Sequence, residues 1–151
     1  MTTHSVLGAI ANSFNPLLAI LALVVPFVRK PRSLRSTIAY YLSAGIAIGL
    51  VYLVRAIDDR YQLWASRGLD YSTHSAFAAS LAASIGTFHR RWAAPLVVAT
   101  VLYFALELFM RYHGIIDILS SAVPAAIAAA VLVIAFRSLM PTAASDRPRS
   151  R

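Results

Sequence analysis

The chain contains no cysteine and only six acidic residues among its 151. The first absence excludes disulfides and thiolate metal sites, and it leaves the redox compartment open. Charge of either sign is scarce at 13%, whereas 59% of residues are apolar. A soluble domain of this size has too little interior to hide that much apolar surface. No stretch alternates residue by residue like a barrel strand, and no segment repeats. The formal charge of +8 does not gather into one patch or helix, so it does not read as a nucleic-acid signature. Met1 to Ser5 carries no Lys or Arg, which argues against a cleaved signal peptide and for a retained first span.

What is present is a series of long apolar runs, at about Val6 to Val28, Thr37 to Val54, Ser75 to Phe88, Trp92 to Met110 and Ile115 to Phe136. Backbone in hydrocarbon must satisfy its own hydrogen bonds, so the runs read as helices and the fold class as an all-α, polytopic membrane bundle of about five spans. The third run is too short by itself and is expected to begin near Asp70, which would set His74 about one turn inside the span. Pro16, Pro26, Pro95 and Pro124 are expected to kink or start helices. Gly45 and Gly49 permit close helix packing, as do the alanines at 76, 78, 79, 82 and 83, either within one bundle or in a homo-oligomer.

Sidedness follows from the basic residues. If five spans alternate, ten fall on one side: Arg29, Lys30, Arg32, Arg35, Arg90, Arg91, Arg137, Arg147, Arg149 and Arg151. Arg55, Arg60, Arg67 and Arg111 fall on the other. The richer side is expected in the cytoplasm. The amino terminus then lies outside, and in a bacterium the chain sits in the inner membrane with its outer face toward the periplasm. Pro141 to Arg151 reads as a disordered, basic cytoplasmic tail.

The candidate chemistry lies on that outer side. His113 and Asp117 are four residues apart at the start of the fifth run, so on a helix they would share a face. A carboxylate there can fix one ring nitrogen and leave the other as nucleophile or base; alternatively the Asp satisfies first-turn amides. His74 opens the third run behind Ser72 and Thr73, which are suited to cap a helix whose N–H groups face an anion. Two imidazoles, a carboxylate and several arginines at one interface are the parts of covalent phosphoryl transfer through histidine.

These residues resemble the type 2 phosphatidic acid phosphatase superfamily. Tyr71-Ser72-Thr73-His74 keeps the Ser and His of its second motif, and His113 with Asp117 matches the end of its third. Arg60, six residues, Arg67, Gly68 loosely echoes its first. The resemblance covers roughly Arg55 to Pro124. It implies that residues 1–140 form a lipid phosphatase-like domain, with His113 as phosphate-accepting nucleophile, Asp117 its orienting partner and His74 the general acid. Arg60, Arg67, Ser72 and Thr73 would hold phosphate oxygens, and the implied substrate is a phosphorylated lipid such as an undecaprenyl, phosphatidate-like or sugar-linked phosphate.

Departures are visible. Glu107 stands where the family commonly has an Arg, and Arg111 is the nearest substitute; the Arg-Tyr-His spacing is closer to the sphingomyelin and inositol phosphorylceramide synthase branch, which transfers headgroups. The family core commonly has six spans. Two alternatives follow, a headgroup phosphotransferase and a non-catalytic lipid-phosphate-binding partner or transporter. Glu107, inside the fourth run, is expected to bond Arg111 or a neighbouring helix. Arg55, with Asp58, Asp59 and Arg60, belongs to a mixed-charge cluster of the kind that is mostly solvated. No cofactor is implied, and the absence of a compact His-Glu-x-x-His spacing argues against zinc.

Overall fold

The computed structural model describes residues 3–28 and 33–139, with side chains from Ser5 onward. The expected disordered tail at 141–151, the side chain of His4, and Arg29, Lys30 and Arg32 lie outside the described residues. Within them the chain forms α1 (Thr3–Val24), α2 (Leu34–Tyr61), α3 (Thr73–Phe88), α4 (Ala93–Phe109) and α5 (Ile115–Leu139). Short 3-10 turns follow α1 at Val25–Phe27, precede α3 at Ala65–Arg67 and join α3 to α4 at Arg90–Trp92. Pro16 and Pro124 lie inside α1 and α5, while Pro26 sits in the turn that ends the first span.

Four stretches are long and apolar enough to cross a membrane: Ser5–Phe27, Leu34–Tyr61, Arg90–Phe109 and Ile115–Leu139. The third run is different. Its helix has 16 residues, roughly 24 Å at the α-helical rise and short of a hydrocarbon core of about 30 Å. The expected start near Asp70 is corrected: α3 begins at Thr73, so His74 lies in its first turn. Ser72, in extended backbone, is its N-cap and accepts from the amide of Ser75, which closes the helix there.

This short helix is the core of the bundle. Eleven of its sixteen residues are buried, against four of seventeen in α4, and it packs against all four other helices. Eight of the eleven buried positions are Ala, Ser or Gly. Between helices in lipid, where apolar burial gives little driving force, small side chains let backbones approach and gain dispersion contacts. At Gly86 an added Cβ would lie 3.1 Å from the Ala93 Cα, so glycine gives the tight α3–α4 turn the close approach that a side chain would push apart by a few tenths of an ångström. Gly45 and Gly49, by contrast, are exposed and meet nothing within 4 Å, so the packing they permit is not used within this bundle.

The two ends of the bundle are built from different residues. At one end, Tyr40 of α2 donates to the Ala22 carbonyl at 3.1 Å and packs on Phe88 of α3 at 4.5 Å. Arg90, Arg91 and Arg137 sit at this arginine end. At the other, the Trp64 indole donates to Ser120 of α5 at 2.9 Å and meets Tyr71 edge-on at 4.8 Å. This histidine end carries His74, His113 and the loop 62–72.

Candidate functional site

Loop 62–72 is fixed by α2. The buried Asp58 carboxylate accepts from the Trp64 amide at 2.9 Å, and its carbonyl accepts from the Gln62 amide at 2.6 Å, so the chain reverses without leaving these groups unpaired. Gly68, at φ +69°, takes the left-handed conformation that ends the 3-10 turn. Tyr71 then enters the core, donating to the Val51 carbonyl at 3.2 Å. Burial pushes its phenol up to about 12, with Asp58 adding to the shift and Arg55 opposing it.

Asp70 projects from this loop toward the start of α5. Its amide donates to Asp117 Oδ1 at 2.9 Å, while Asp117 Oδ2 accepts from the Gly114 amide at 2.8 Å. Asp117 therefore closes the first turn of α5 and pins the loop to it, satisfying amides that a helix start leaves open. The carboxylate lies so close that a Cβ on Gly114 would stand 3.1 Å from Oδ2.

His113 sits just before α5, in the bend that follows α4, and not on the helix as the four-residue spacing predicts. Helix α4 ends with the amide of Arg111 on the Leu108 carbonyl and that of Tyr112 on the Glu107 carbonyl. Arg111 is left-handed at φ +57°. This paired 5→2 and 6→1 closure usually carries glycine at that position, so the chain spends strain to place the following two residues. The His113 ring is 15% exposed, and its Nδ1 lies 3.2 Å from Asp70 Oδ2. That is ion-pair distance, although the N–H is not aligned as a hydrogen bond. The carboxylate beside His113 is thus Asp70 and not Asp117, whose two oxygens are engaged by backbone. Asp70 in turn stands 3.9 Å from Arg55, which also pairs with Asp59 at 2.9 Å and donates to the Tyr71 carbonyl at 3.4 Å.

His74 faces elsewhere. It is exposed on the first turn of α3 and lines a cavity of about 480 Å³ between α1 and α2, together with Asn12, Asn15, Tyr52 and Phe77. The Asn15 side-chain amide donates to its carbonyl at 3.2 Å. Thr73 lines the same cavity. Ser72, expected to hold phosphate, has no exposed surface: its amide donates to Ser121 Oγ at 3.0 Å and its hydroxyl to Ser75 Oγ at 2.8 Å. Arg60, Arg67 and Arg111 are exposed and make no ion pair among the described residues.

Glu107 is buried at 3% exposure, which makes a polar partner mandatory. Of the two expected partners it takes the neighbouring helix and not Arg111: Ser75 of α3 donates to Oε2, and Tyr103 of α4 donates to Oε1 at 2.7 Å. Tyr103 also lies 3.5 Å from Asn15 of α1. A polar chain therefore links three helices just beneath His74, with the acid in the role of joint.

The arrangement combines an imidazole beside a carboxylate with a guanidinium behind it, and a second imidazole opening into a neighbouring cleft at the same end. Such a set can hold and move protons and can present a ring nitrogen to an electrophile. Asp70 escaped notice as the partner of His113 because 43 positions separate them. The available signal was an acid stranded in a short loop directly before a helix cap. Comparison of the chain with protein-family models, with curated proteins and with solved structures finds no match. The likeness to lipid phosphatases therefore rests on the motif residues alone.

Proposed function

We propose that the chain is a membrane enzyme that hydrolyses a phosphorylated lipid through a phosphohistidine at its histidine end. The observation that supports this best is the His113–Asp70–Arg55 series, with separations of 3.2 and 3.9 Å. Asp70 stands beside Nδ1 at ion-pair distance, which leaves Nε2 to attack phosphorus. The N–P bond forms as the P–O bond to the lipid breaks, and the leaving oxygen takes a proton from an acid, the role that the motif resemblance gives to His74. Water then attacks the phosphohistidine, releases inorganic phosphate and restores the ring. Arg60, Arg67 and Arg111 are the cations available to phosphate oxygens. On this reading Asp117 positions the loop and does not orient the nucleophile. Headgroup transfer to a second lipid would use the same first step with another acceptor in place of water. The charge bias of the loops supports an outward, periplasmic orientation of the site in a bacterial inner membrane.

A second reading, a lipid-phosphate-binding partner without turnover, is favoured by one observation: His74 opens into the α1–α2 cleft, whereas His113 is held by the α2–α5 side. Phosphate release from undecaprenyl phosphate and phosphatidate, measured on purified protein in detergent with EDTA present, separates the two. The enzyme reading expects release that falls by a factor on the order of 10³ or more in His113→Ala and His74→Ala. Lipid binding with no release from the unaltered protein overturns it in favour of the partner.

A further inference from the structure

Helices α4 and α5 are joined by only residues 110–114 yet make little contact along their lengths. Between them lies an opening of about 830 Å³. Its floor is the small-residue face of α3, at Ala79, Ala82, Ala83 and Gly86; its walls are Val97 and Val101 of α4 and Val123 and Ile134 of α5. Charged groups gather at one end only, where Arg90 and Arg137 border it. Arg137 donates to the Thr87 carbonyl at 3.4 Å and lies 5.9 Å from the Phe88 ring centre, which holds its guanidinium over the end of α3. Arg90 is exposed, and neither arginine makes an ion pair among the described residues.

We infer that this opening binds one anionic phospholipid, with an acyl chain along the alanine floor and its phosphate between Arg90 and Arg137. The inference is independent of the histidine-end chemistry. It follows from matching an occupant to the surface. A slot this apolar at hydrocarbon depth is filled by hydrocarbon, and the doubled positive charge at its mouth selects a headgroup with net negative charge. Every acidic residue among the described residues, namely Asp58, Asp59, Asp70, Glu107 and Asp117, belongs to the loops or helix turns of the opposite end. Among the described residues the arginine end therefore has no acidic counterion. A second copy fits less well, because two-fold pairing through this slot brings Arg90 and Arg137 of both copies to the same membrane level. Thr100, buried on the α4 wall with its hydroxyl unpartnered among the described residues, offers a donor to an ester carbonyl.

The test exchanges the purified chain into detergent with equal amounts of phosphatidylglycerol and phosphatidylcholine of matched acyl chains, and counts retained lipids by native mass spectrometry. One phosphatidylglycerol per chain is expected, favoured over phosphatidylcholine by roughly tenfold or more, the scale of two basic residues acting on one headgroup. Arg90→Gln with Arg137→Gln brings the ratio near one while leaving the helical circular dichroism unchanged. Ala83→Leu, which narrows the slot, removes both lipids, and its helicity and elution volume show whether the bundle persists. Equal retention of the two lipids by the unaltered chain overturns the proposal. So does a preference that survives the double substitution, or a lipid-free dimer that Ala83→Leu dissociates.

Discussion

The histidine end and the arginine end of the bundle treat charge in opposite ways. At the first, the acids of the loop and helix ends are engaged internally: Arg55 meets Asp59 and Asp70, Asp70 meets His113, and Asp117 and Asp58 hold backbone amides, while Arg60, Arg67 and Arg111 stay exposed. At the second, Arg90 and Arg137 face outward without a carboxylate among the described residues. A self-satisfied network fixes geometry, which chemistry needs, and an unsatisfied pair of cations recruits a ligand. Sequence counts alone show four basic residues at one end and many at the other. They do not show that the poorer end is the better organised.

The sharpest way to break this comparison is to ask which carboxylate serves His113. Asp70→Asn keeps the loop shape but removes the charge beside Nδ1, and phosphate release should fall roughly 100-fold or more, as loss of an orienting carboxylate does in histidine-based sites. Asp117→Asn keeps an acceptor for Gly114 or Asp70, so its main expected effect is a stability loss of about 1 kcal/mol, with activity within roughly tenfold of the unaltered protein. Initial rates and thermal melts of both variants decide it. The reverse ranking would return Asp117 to the role its spacing suggests.

Next in size is the buried joint. Glu107→Ala strands the hydroxyls of Ser75 and Tyr103 inside the bundle and should cost about 2–4 kcal/mol in a detergent unfolding assay. Glu107→Gln keeps the shape and both partners, because each hydroxyl can donate or accept, and should cost about 1 kcal/mol. Equal losses in the two variants would show that the volume, and not the hydrogen bonding, is what α3 and α4 need there.

The expected spans lie close to the helices because apolar run length is a local property: Ile115 to Phe136 becomes Ile115–Leu139, and Trp92 to Met110 becomes Ala93–Phe109. The third run departs from expectation at its start, Thr73 in place of a position near Asp70, because the extension presumes a helix long enough to span by itself. An Ala- and Ser-rich helix with eleven of its sixteen residues buried among four others presents little surface to match to bilayer thickness, so its length is only weakly constrained. Of the candidate site, the capping by Ser72 and the placement of His74 and His113 at one end of the bundle were legible. Its pairings were not, since the i, i+4 rule presumes a helix and α5 starts two residues after His113. Asp70 and Asn15 reach the site through tertiary packing, which periodicity does not encode.

Tyr71 tests the rigidity of the histidine end by titration. Its phenol is raised in the folded protein from 10.0 to about 12, so the neutral form is favoured by folding. That contribution is fully present below pH 10 and is lost as pH rises from 10 toward 12, where the unfolded chain ionises first. The loss amounts to at most roughly 2–3 kcal/mol. Unfolding free energy followed over that range should therefore fall more steeply for the unaltered protein than for Tyr71→Phe. Parallel slopes would mean that another group governs alkaline unfolding.

The smallest effect belongs to the arginine end, and its smallness is informative. If Arg90 and Arg137 serve a ligand and not the fold, then Arg90→Gln with Arg137→Gln in lipid-free detergent should change unfolding free energy by no more than about 0.5 kcal/mol, the range of exposed charges without ion-pair partners. Adding phosphatidylglycerol should then raise the melting temperature of the unaltered chain and leave the double variant in place, because a ligand stabilises only a folded state that binds it. A large loss without lipid would instead make the 3.4 Å bond from Arg137 to the Thr87 carbonyl a structural clamp on α3. The two ends would then differ in degree and not in kind.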